Sequence, residues 1–71
     1  MSTNHFHVLA KAESWVVTLN GLYFKTCDSQ LDSCHEALAK ARELGSGEIY
    51  VHDRDGELAW HESVPRGQDV D

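Results

Sequence analysis

The chain has 71 residues, twelve of them acidic and six basic, and a formal net charge of −6 with neutral histidine. A hydrophobic content of 41% is enough for one small core and too much for a disordered chain. The acidic balance argues against nucleic-acid backbones and anionic membranes as partners.

Other classes are excluded by pattern. No apolar run is long enough to cross a bilayer. The opening MSTNHFHVLA lacks the charged and apolar regions of a secretory signal. Two cysteines, Cys27 and Cys34, make no disulfide framework, which points to a reduced, cytoplasmic protein. No phosphate loop, nucleophile elbow, zinc-protease helix or dinucleotide fingerprint is present, so neither an enzyme nor a cofactor is expected.

The first strand is expected from His5 to Ala10, with Phe6, Val8 and Ala10 on one face and His5, His7 and Leu9 on the other. A polar turn precedes a second strand, Trp15 to Leu19, rich in β-branched and aromatic residues. Asn20-Gly21 is a strong two-residue hairpin signal, and Leu22 to Cys27 returns as the third strand. That turn predicts Leu19 opposite Leu22, Val17 opposite Phe24, Val16 opposite Lys25 and Trp15 opposite Thr26. Trp15, Val17, Leu19, Leu22 and Phe24 then face the core, while Val16, Thr18, Tyr23 and Lys25 face outward.

Ser33 and Glu36 have the spacing of a capping box, which predicts a helix from Cys34 to Leu44 stopped by Gly45. Its apolar stripe is Ala37, Leu38, Ala41 and Leu44. Glu48 to His52 and Glu57 to Glu62 read as strands four and five around an Asp53-Arg54-Asp55-Gly56 turn. That turn pairs Val51 with Leu58 and Ile49 with Trp60, all four in the core. It also sets Glu48 opposite His61 and His52 opposite Glu57. Residues 65–71 read as a flexible acidic tail after a single domain over 1–64.

The expected fold is an α+β two-layer sandwich, β-β-β-α-β-β, with one helix on one face of a five-stranded mixed sheet. The preferred strand order is 3-2-1-4-5, with 1-2-3-4-5 as the alternative.

The segments His7-Val8, Trp15-Val16-Val17, Glu36 to Leu44 and Glu48 to Gly56 resemble domain-of-unknown-function family 2188, a small uncharacterised bacterial domain. The resemblance implies an α+β mini-domain and no known activity. Ala10 and Ser14 stand where members often carry Pro and Gly, and the last hairpin is acidic where theirs tends to be basic.

Three sets of residues carry candidate chemistry. His7, His52 and His61, with His5 nearby, share the outward phase, next to Glu48 and Glu57. Imidazole and carboxylate together suit zinc or nickel, and histidine titrates near neutrality, so the set reads as a metal site, a pH-responsive surface or a solvated row. Leu9, Val16, Tyr23 and Tyr50 form a semi-apolar outward patch, which points to a protein partner or a homodimer. Cys34, near a helix start, and Cys27 read as ordinary thiols or a reactive pair. The leading expectation is a small non-enzymatic interaction module working through the open sheet face or a sheet edge. The alternative is a metal- or pH-responsive domain.

Overall fold

The computed structural model describes residues 3–65. The sequence-based expectation of a tail over 65–71 therefore lies outside the described residues apart from Pro65. Five strands and one helix follow in the order β1 (His5–Lys11), β2 (Ser14–Leu19), β3 (Leu22–Cys27), α1 (Gln30–Leu44), β4 (Gly47–His52) and β5 (Leu58–Val64). They form one mixed sheet in the order β3-β2-β1-β4-β5, with the helix on one face. This is the expected α+β sandwich in the preferred strand order. β1 lies at its centre, antiparallel to β2 and parallel to β4.

Asn20 and Gly21 both take positive φ, 53° and 86°, as a tight hairpin turn with matching strand twist requires. The Asn20 side chain also accepts from the His5 backbone N–H, tying the turn to the start of β1. The core is Phe6, Val8, Trp15, Val17, Cys34, Ala37, Ala41, Ile49 and Val51, with Leu19, Phe24, Leu38 and Val64 packed against it. Gly47 lets the helix approach β4 closely. A Cβ there would stand 2.6 Å from the Ala41 Cβ and 3.0 Å from the Phe6 ring.

The helix begins one turn earlier than the capping box suggests. Ser29 is the N-cap, its hydroxyl accepting from the Asp32 backbone N–H at 3.0 Å. Ser33 is a buried helical residue whose hydroxyl donates to the Ser29 carbonyl. Ser29 and Ser33 compete for the same cap role. Starting at Ser29 lets the helix bury Ser33 and Cys34 against the sheet. Gly45 closes the helix in the left-handed region, φ 93°, donating to the Ala41 carbonyl.

Leu19 lies opposite Leu22 and Thr18 opposite Tyr23 as expected, but two β-bulges change the other expected pairings. Between Val17 and Thr18 the pairing shifts, so Val17 lies opposite Lys25, Val16 opposite Thr26 and Trp15 opposite Cys27. Lys25 is thereby carried to the helix side, where its ammonium meets Glu36 at 2.8 Å. Between Val51 and His52 a second shift sets Val51 opposite Trp60, Ile49 opposite Glu62 and His52 opposite Leu58. Leu58 therefore leaves the expected core for the outer face.

Several expected core residues are not buried. Leu22 is 73% exposed and Trp60 40%. Leu44 is exposed as well. Leu22 and Trp60 have the helix-side phase but sit on edge strands β3 and β5, which a single helix does not cover.

Candidate functional site

The helix covers one side of the sheet and leaves the other open. The registers place His5, His7, Leu9, Lys11, Ser14, Val16, Thr18, Tyr23, Thr26, Glu48, Tyr50, His52, Leu58, His61 and Ser63 on that open side. All four expected interaction residues, Leu9, Val16, Tyr23 and Tyr50, are among them. Leu9 lies opposite Val16, and Tyr23 opposite Thr18. Val16 and Tyr23 help to line an open concavity of about 530 Å³ over the β2–β3 half, with Lys11, Ala12, Ser14 and Thr26. Tyr50 stands apart from it, on the β4 side of His7.

The other half of the face is an aromatic row. His7 and Tyr50 are paired across β1 and β4, and Tyr50 and His61 across β4 and β5. Their rings lie nearly parallel, with centroids 5.0 Å apart for His7–Tyr50 and 4.8 Å for Tyr50–His61. His52 extends the row at 5.3 Å from His7, and His5 flanks Tyr50 at 6.2 Å.

His7 Nδ1 and His52 Nε2 are 3.0 Å apart, so one neutral ring donates and the other accepts. His52 Nδ1 is buried and has no hydrogen-bond partner among the described residues. Burial first, and then the neighbouring His52 and His5, hold His7 below its ordinary value of 6.5. At the other end, His61 Nε2 contacts Glu48 Oε1 at 2.5 Å, and the Ser63 hydroxyl donates to the same oxygen at 2.8 Å. Those contacts, the serine bond foremost, hold the Glu48 carboxyl below its usual range. In the strand register Glu48 lies opposite Ser63 rather than His61, so the His61 contact is a diagonal one.

The structure brings His7 and His52 together and leaves His61 on the far side of the Tyr50 ring. Glu57 lies in the turn before β5, not opposite His52. Among the described residues no group of three or more His, Cys, Asp or Glu side chains is arranged to hold a metal ion.

Cys34 is buried within α1, past its first turn, and burial pushes its thiol up to about 11. It therefore stays protonated at neutral pH and is a poor nucleophile. Among the described residues no helix is long and apolar enough to cross a membrane.

No family model matches the chain, and it has no match among curated proteins or solved structures. The resemblance to domain-of-unknown-function family 2188 accordingly rests on its short motifs alone.

His5, Thr26, Leu58 and Ser63 belong to this surface although the sequence did not single them out as interaction residues. His5 was legible from strand alternation. Leu58 was not, because only the bulge in the last hairpin turns it outward.

Proposed function

We propose that this protein is a non-enzymatic interaction module whose working surface is the uncovered face of its sheet. One observation carries the reading. Among the outward-phased strand residues only Lys11 and Glu48 bear a formal charge with neutral histidine, although a quarter of the chain is charged. Glu48 is itself engaged by His61 and Ser63. The remaining described carboxylates lie on the helix, in loops and turns, or on the helix-side row of β5. A face selected only for solubility would carry its share of that charge. Tyrosine with depleted charge is the composition of interface cores.

The reading is tested by photo-crosslinking in the host cell. A photoreactive residue replacing Tyr23 should give one dominant protein adduct, and the same residue replacing the exposed helix position Ala39 should not. Equal labelling from both positions, or none from Tyr23, overturns it.

A further inference from the structure

We infer that the occupant of this face is a second copy of the same chain, packed sheet to sheet and released on acidification. The inference rests on the reading above and adds the partner and its control.

Charge distribution favours a like partner. Two copies of a chain with net charge −6 repel in most orientations. The outer face is the broad surface on which two copies meet with almost no carboxylates opposed. The strand order supplies self-complementarity. β1 is central, so a two-fold axis along it lays β4 and β5 of one copy over β2 and β3 of the other. The ring-bearing half, Tyr50 and His61, then meets the half hollowed at Val16 and Tyr23. A five-stranded face of about 24 by 20 Å gives a footprint typical of weak, reversible complexes.

Protonation acts on the same contact. The titratable and charged groups on the face are His5, His7 and Lys11 from β1, Tyr23 from β3, Glu48, Tyr50 and His52 from β4, and His61 from β5; β2 contributes none. His7 and His52 keep their hydrogen bond only while at least one ring is neutral, because two imidazolium rings offer donors alone. With the axis along β1, His7 of one copy lies against His7 of the other, so charging it in both places like charges together at the centre of the interface.

The test is sedimentation of the intact chain over a concentration series. The expected result is a reversible dimer at about pH 7.5 that dissociates at about pH 5.7. Net charge alone predicts the opposite, since acidification toward the sequence pI of about 5.1 weakens general repulsion. Val16→Glu and Ala39→Glu add the same charge to opposite faces. Val16→Glu should weaken the dimer about tenfold or more and Ala39→Glu should leave it unchanged. Circular dichroism checks that both variants fold. A monomer at every concentration, a dimer that tightens in acid, or equal effects of the two variants overturns the inference. A monomer whose Tyr23 position still yields one foreign protein adduct would sink the second copy and leave the interaction module standing.

Discussion

His7 and His52 meet across β1 and β4 with Nδ1 and Nε2 3.0 Å apart and their ring planes 17° from parallel. The contact ties a titratable group on the open face to the two strands that form the middle of the sheet. Burial of His7, and after it the neighbouring His52 and His5, makes stability depend on pH. His7 lies below 6.5 when folded, so the unfolded chain takes up this proton first. The stability that neutral His7 contributes is full above that value and declines as pH falls through it. The urea midpoint of the wild type should therefore fall more steeply between about pH 7.5 and pH 5.5 than that of His7→Leu. Parallel slopes would contradict this.

Gly47 is the point where helix and sheet come closest. Gly47→Ala forces its new methyl against the Ala41 Cβ, 2.6 Å away, and the Phe6 ring. The expected cost is about 1–3 kcal/mol by urea unfolding. An unchanged midpoint would show that the helix shifts freely on β4.

The Asn20-Gly21 turn fixes the β2–β3 hairpin. Gly21 has φ 86° and open space around it, so its substitution is a matter of backbone strain alone. Gly21→Val should cost about 1 kcal/mol or more, read as a lowered thermal midpoint.

Phe6 and Trp60 separate core from periphery. Phe6 is fully buried and Trp60 is 40% exposed on an edge strand. Phe6→Ala should remove about 3–5 kcal/mol, close to the whole stability of so small a domain, and unfold it. Trp60→Ala should stay folded with a cooperative transition at a lower midpoint. Unfolding by Trp60→Ala would place the fifth strand in the core.

Alternation and turn chemistry made most of the fold legible. Phe6, Val8, Val17, Ile49 and Val51 are buried as their phase requires, and Asn20-Gly21 turns the chain as its residue types demand. Single inserted residues were not legible. A bulge reverses the phase of everything beyond it, which is how Lys25 reached Glu36 and Leu58 reached the outer face. Nor does phase report coverage. Leu22 and Trp60 point to the helix side, but one helix cannot roof five strands. At the site, alternation was enough to group the histidines with Tyr50. The separation of His61 from His7 by the Tyr50 ring depends on which strands are neighbours, a property of topology.

The most direct measurement is a dilution series of amide NMR spectra on the pure protein at neutral pH, up to about 1 mM. Concentration-dependent shifts should gather at Val16, Thr18, Tyr50 and His61 on the open face and leave Ala39 and Glu43 on the helix unmoved. Shifts centred on the helix, or none across the series, would contradict a second copy seated on the open sheet.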